Sequence, residues 1–184
     1  MVHQHWFLIV RVGGLLLVAL VLRAGGEDYA AQRTETSGTN GATTTAFLKN
    51  WPSFRGPNAL GHAVHADPPL KWSVADGTGI VWKVALPKHG MSSPVVWEDR
   101  IFLTGADEES RQLYCVDAHS GRLLWQHDVN GVPGSPDDGR IPAVLSETGY
   151  AAPTPTTNGT YVAGVFATGE LVCVNFEGKR TWIR

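Results

Sequence analysis

Cysteine is scarce in this chain: Cys115 and Cys173 are the two in 184 residues. No two cysteines are adjacent, and none follows the apolar N-terminal run, so the sequence offers no lipid-attachment cysteine behind an export segment. Charge is also sparse, at 17% of residues, and Lys+Arg 15 against Asp+Glu 17 leaves a net charge of −2. No run of like charge occurs, so the basic stripe expected of a nucleic-acid partner is missing. Nor does a Gly-rich phosphate loop join a strand to a helix, which leaves nucleotide binding unsupported. Ser92 and Ser93 precede Pro94 at a strand start and lack the G-x-S-x-G elbow of a serine hydrolase. His62 and His65 have no third donor nearby in sequence, and His89, His119 and His127 fall in turns or at a strand end. That is not a zinc constellation. Glu108 with Glu109, and Asp137 with Asp138, fall in polar loops where solvated carboxylates are the ordinary case, and neither has the spacing of a calcium loop.

What is plentiful is glycine (21), proline (11) and tryptophan (7). With few charges, that composition suits a turn-rich β domain. Residues 12–22 form an uncharged apolar run behind Arg11, followed by Ala24, Gly25 and Gly26. The pattern is that of an export signal over residues 1–26. An uncleaved anchor from Trp6 to Leu22 is the rival, although Arg11 interrupts it and the run is short for a span. Residues 27–50, rich in Thr, Gly and Ala, read as a flexible polar linker. Residues 51–184 form the expected globular part.

Internal repetition decides the architecture there. Cys115, Asp117, Gly121 and Trp125 recur as Cys173, Asn175, Gly178 and Trp182. Each set is a strand, a tight turn ending on Gly plus a cation, and a second strand carrying Trp four residues after the Gly. Glu98 and Asp99 mark a two-residue hairpin turn, and Asn158-Gly159 another. The strands sort into two four-stranded antiparallel units, about 92–129 and 152–184, with a lone outer strand at 80–86 around Trp82. Setting aside the Pro- and Gly-rich insertion at 130–149, Trp82, Trp125 and Trp182 recur at the ~40–45 residues of one propeller blade. The fold class is therefore all-β: a β-propeller, here about two blades plus one orphan strand. Closure takes about 4–8 blades, so the sequence reads as the N-terminal part of a larger propeller. Cys115 and Cys173 take equivalent places on adjacent blades, normally farther apart than the ~7 Å a disulfide bridges, and read as buried apolar residues.

Cys115, Asp117, Gly121 and Trp125 together resemble the tryptophan-docking repeat of the PQQ-like β-propellers, A-x-D-x-x-x-G-x-x-x-W, with Cys in place of Ala. The second copy departs further, with Asn175 for Asp and a turn one residue shorter. The flanks Trp51-Pro52-Ser53-Phe54-Arg55-Gly56-Pro57 and Leu86-Pro87 with Gly90 and Ser92 resemble the opening of exported PQQ-binding-like β-propeller repeat proteins. By that resemblance Asp117, Gly121, Trp125, Asn175, Gly178, Trp182 and Trp82 are structural docking residues: the acid closes the turn, the glycine takes φ > 0, and the indole packs on the neighbouring blade. No residue is assigned to catalysis, cofactor or metal. The expected function is a non-catalytic, exported module of the periplasm or cell envelope. It would bind protein partners or a small ligand on a propeller face, with the insertion at 130–149 as an interaction loop, and no nucleic acid. A membrane tether through the N-terminal segment is open. The alternative implied by the resemblance is a PQQ-dependent quinoprotein oxidoreductase, which alone would call for PQQ with Ca²⁺.

Overall fold

The computed structural model describes residues 42–63, 69–135 and 141–184, together with the backbone of β1 (Trp6–Val12) and β2 (Leu15–Val21). The rest of the expected export segment and residues 27–41 of the expected linker lie outside the described residues. The remaining elements are a short helix α1 (Thr44–Lys49), a 3-10 turn (Pro57–Ala59) and nine strands. These are β3 (Trp82–Ala85), β4 (Val95–Trp97), β5 (Arg100–Ala106), β6 (Arg111–Asp117), β7 (Leu123–Val129), β8 (Thr156–Thr157), β9 (Tyr161–Val165), β10 (Leu171–Asn175) and β11 (Arg180–Ile183).

Two four-stranded antiparallel sheets form, in the orders β4-β5-β6-β7 and β8-β9-β10-β11. Each is a meander whose innermost strand is its first and whose outermost is its last, the pattern of successive propeller blades. Trp97 pairs with Arg100 across the Glu98-Asp99 turn, where Glu98 takes φ 52° to close two residues tightly. Both blades carry an irregularity at the same place on the third strand, between Cys115 and Val116 and between Cys173 and Val174. A bulge there raises the local twist where the outer strand must turn toward the next blade. β3 falls within the stretch 80–86 expected as a lone outer strand, but it is shorter and is not unpaired. It pairs in parallel with β1, which forms a hairpin with β2. No helix among the described residues is long and apolar enough to cross a membrane.

The first blade is buried on both faces. Ile101, Leu103, Tyr114 and Val116 point into a cluster that Trp82 and Val84 of β3 cover. Phe102, Leu113 and Cys115, the alternate positions, point into a second cluster with Val162, Phe166, Val172 and Val174 of the second blade. That is why Ile101-Phe102-Leu103 and Val95-Val96-Trp97 are unbroken apolar runs: period-2 alternation serves two cores. Cys115 and Cys173 are both free thiols buried in this packing. Burial pushes the Cys115 thiol up to about 12, outweighing the Arg100 charge.

One boundary needs correction. The expected linker, 27–50, includes ordered structure at its C-terminal end: α1 starts on Thr43, whose Oγ1 accepts the Ala46 N–H at 3.2 Å. Phe47 then meets Trp97 edge-to-face at 5.2 Å. A Thr-rich stretch has little helix propensity of its own, and tertiary contact supplies what propensity does not.

Candidate functional site

Two tryptophans of the repeat lie against glycines of the turn that follows in space. The Trp82 indole N–H donates to the Ala118 carbonyl at 3.0 Å, and its ring covers Gly121, where an added Cβ would fall 2.4 Å from the ring. Trp125 repeats this one blade on: its N–H donates to the Phe176 carbonyl at 2.8 Å, and a Cβ on Gly178 would fall 2.7 Å from its ring. Both glycines have positive φ, 73° and 79°, so conformation and space both select glycine. The turns are closed by their first residue. Asp117 Oδ1 accepts the N–H groups of His119 and Ser120 at 3.2 and 2.8 Å and the Ser120 hydroxyl at 2.6 Å. The Ser120 hydroxyl bond leads in holding its carboxyl below the usual range, against a smaller upward push from burial. Asn175 does the same without charge, accepting from Glu177 and Lys179 N–H at 3.2 and 2.8 Å. Trp182, the third repeat position, is 38% exposed.

The sequence reading missed two further parts of this seam. Trp97 stands to Gly159 as Trp125 does to Gly178, with an added Cβ 2.5 Å from the ring. In sequence the Asn-Gly pair signals only a turn. His127 sits beside Trp125, and its Nδ1 lies 3.0 Å from the Gly178 carbonyl while Nε2 is buried without a partner. The carbonyl needs a donor, so the neutral Nδ1–H tautomer fits. Burial lowers the His127 pKa below its ordinary 6.5. A base whose folded pKa is depressed binds fewer protons folded than unfolded, so its contribution is present above pH 6.5 and fades as pH falls. His127→Gln should therefore flatten the stability loss between about pH 6.5 and 5, read from urea midpoints at each pH.

Beside the turns lies an open groove of about 680 Å³ between the blades, lined among others by Glu98, Arg100, Tyr161, Phe176, Lys179 and Arg180. Arg100 is not free in it: its guanidinium donates to the Phe176 carbonyl and lies 5.5 Å over the Phe176 ring. Phe176 in turn packs on Phe102 at 5.0 Å.

The opposite end of the seam holds a buried ion pair. Arg111, at the start of β6, meets Glu170, just before β10, at 2.9 Å, with 9% and 1% of their side chains exposed. Ser135, from the insertion between blades, donates its hydroxyl to Glu170 Oε1 at 2.5 Å, and the Thr168 hydroxyl donates to Oε2. Burial pushes the Glu170 pKa up, but the hydrogen bonds from Ser135 and Thr168 and the Arg111 charge together pull it below 4.5. The expected interaction loop, 130–149, is thus fastened at Ser135; residues 136–140 of it lie outside the described residues. At its far side Gly149 N–H donates to the Leu145 carbonyl at 2.8 Å, leaving Leu145 71% exposed.

On the first blade Tyr114 OH donates to Gln112 Oε1 at 2.5 Å and accepts the Lys88 N–H at 3.2 Å. Gln112 continues to Asp128 at 2.7 Å, and Lys88 Nζ pairs with Asp107. Burial raises the Tyr114 phenol well above its ordinary value. Tyr114→Phe strands the Gln112 oxygen and should cost about 1–3 kcal/mol, measured by denaturant unfolding. Among the described residues, no three His, Cys, Asp or Glu side chains gather where a metal ion could be held. Asp107, Asp117, Asp128 and Glu170 instead spend their oxygens on protein donors.

A family model described as outer membrane protein assembly factor BamB matches residues 70–184. The chain belongs to this family. Its repeats are PQQ-like propeller repeats, as their resemblance implies. None of the curated proteins matches the chain. Among solved structures, BamB from Moraxella catarrhalis is similar at 19% identity, over 56% of this chain and 42% of that one, with a TM-score of 0.27. The chain spans less than half the length of that relative.

Proposed function

We propose that this chain is an exported β-propeller module of the cell envelope that works through protein contacts, its blades held by Trp–Gly docking at each seam. Membership of a family described as an outer membrane protein assembly factor supports envelope assembly as the setting. The apolar run at residues 12–22 supports export by either a cleaved signal or an anchor. The observation that carries the reading is the insertion at 130–149. It leaves the outer strand β7, ties into the blade seam through Ser135 and Glu170, and holds the exposed Leu145 on a turn closed at Gly149. Long loops positioned by a rigid scaffold are where binding residues concentrate.

A photo-crosslinking amino acid at Leu145, in the protein expressed in its own envelope, tests this. A discrete adduct with one envelope protein, lost when Ser135→Ala loosens the loop, is expected. No adduct at Leu145, with the protein folded and exported, overturns the role of the loop. The quinoprotein alternative is checked in parallel: PQQ and Ca²⁺ added to the protein should give neither a bound-quinone absorbance nor dye-linked alcohol oxidation. Turnover in that assay overturns the non-catalytic reading.

A further inference from the structure

The dipeptide Asn-Gly occurs at residues 40–41, 130–131 and 158–159. The first copy lies outside the described residues. Glycine after asparagine leaves the next N–H unobstructed, because no Cβ stands beside it. That nitrogen can attack the side-chain amide carbon, expel ammonia and close a five-membered succinimide. The reaction needs a side chain free to turn, an N–H not donated elsewhere, and room for the ring. Local structure therefore decides the fate of each copy.

At 158–159 all three are withheld. Asn158 Oδ1 accepts the Thr160 and Tyr161 N–H groups at 3.0 and 2.8 Å. The Gly159 N–H donates to Thr157 Oγ1 at 3.2 Å, and a Cβ there would fall 2.5 Å from the Trp97 ring. An arm of the chain, residues 42–52, closes over the same turn. The Ala42 N–H donates to the Asn158 carbonyl at 3.4 Å, and Phe47 covers Trp97. Trp51 pairs with Val96 of β4 through both main-chain hydrogen bonds, at 2.9 and 2.8 Å. The Pro52 carbonyl accepts the Thr157 N–H of β8 at 2.9 Å and the Thr156 hydroxyl at 3.2 Å.

At 130–131 none is withheld. Asn130 is exposed at the end of β7, and its side chain makes no hydrogen bond among the described residues. The Gly131 N–H makes none there either, and a Cβ built on Gly131 meets nothing within 4 Å. One bond holds the residue: its main-chain carbonyl accepts the Arg180 guanidinium of β11 at 2.9 Å.

We propose that Asn130-Gly131 is a modification site, where the folded chain deamidates without an enzyme, and that Asn158-Gly159 is the same dipeptide held inert. Hydroxide takes the Gly131 amide proton, and the nitrogen bonds to Asn130 Cγ. The Cγ–Nδ2 bond breaks, and the leaving nitrogen takes a proton from water and departs as ammonia. Water then opens the succinimide at either carbonyl. Opening at Cγ leaves aspartate at position 130. Opening at the main-chain carbonyl carbon leaves isoaspartate, with the backbone running through Cβ and Cγ. Water is consumed and ammonia released, and nothing is oxidised or reduced. In the isoaspartate form the carbonyl that Arg180 holds has become a carboxylate. A neutral hydrogen bond between the blades becomes a charge-assisted one, at the root of the insertion. The chemistry does not depend on what the insertion binds.

The test ages the purified full chain in mildly alkaline buffer, one portion folded and one in urea. Proteolytic peptides are resolved by mass spectrometry, and an isoaspartyl methyltransferase reports the isoaspartate. In the folded chain the peptide containing Asn130 should convert at least about tenfold faster than that containing Asn158, a factor equivalent to about 1.4 kcal/mol in the barrier. In urea the two should convert at similar rates, since the dipeptides are the same. Asn130→Gln should abolish conversion at 130, because its longer side chain does not close the five-membered ring. Equal rates at the two positions in the folded chain, or a peptide unconverted at Asn130, overturns the site. A preference for Asn130 that persists undiminished in urea overturns the structural protection of Asn158.

Discussion

Glu170→Ala should destabilise the protein by about 3–5 kcal/mol, because it leaves the Arg111 guanidinium buried without its counter-charge. Arg111 has no slack to absorb the loss: its Nε already lacks a partner, and its other link, to Ser135, is a 3.4 Å contact. The deletion also releases the Ser135 and Thr168 hydroxyls that now converge on the carboxylate. Urea unfolding of the variant beside the parent measures the cost. The paired change Arg111→Met with Glu170→Leu should recover most of it, since an apolar pair of similar volume needs no desolvation offset. A double variant as unstable as Glu170→Ala would show that the cluster acts through shape and not charge. The pH sign follows from the depressed Glu170 pKa. An acid held below its ordinary value stabilises the folded state above pH 4.5 and loses that contribution as pH falls through the folded value. Acid unfolding of the parent should therefore steepen below about pH 4.5, and the Met/Leu double variant should lack that component.

Trp125→Ala should cost about 2–4 kcal/mol, somewhat less than truncating a fully buried aromatic, because the ring is half-buried. The indole is sandwiched between two blades. It touches Gly178 on one side and Phe102 at 5.9 Å on the other, and its N–H holds the Phe176 carbonyl. Trp182→Ala is the internal control. The residue holds the same repeat position but is 38% exposed, so a loss of about 1 kcal/mol or less is expected. Gly178→Ala should lie between them, because it combines a left-handed backbone with a Cβ driven into the Trp125 ring. Equal losses for Trp125→Ala and Trp182→Ala would mean that the ring contributes within its own sheet and not across the seam.

The strands and their order were legible because propeller blades repeat a local grammar: apolar alternation, a two-residue turn, an acid or Asn opening the next turn, then glycine. Asp117 and Gly121 are readable this way because they act within five residues of each other. Arg111 and Glu170 were not readable. Each lies at the edge of a strand with no neighbouring pattern, and only the packing of two blades brings them to 2.9 Å. The same holds for Trp97 on Gly159 and for His127, whose partners are set by the blade-to-blade rotation and not by spacing along the chain. The arm before Trp51 was invisible for a different reason. Its composition is that of a linker, and the six-residue helix exists because Phe47 finds Trp97.

The arm also sets a clock. Pro52 holds Thr156, more than a hundred residues further along the chain. At a synthesis rate of about 5–20 residues per second, the arm waits on the order of 5–20 s for that partner to be made. Until then the segment can be held on the first blade alone, by Trp51 on Val96, and the Pro52 carbonyl waits for its second-blade partners. The first blade can therefore close its inner edge before the seam with the second blade exists.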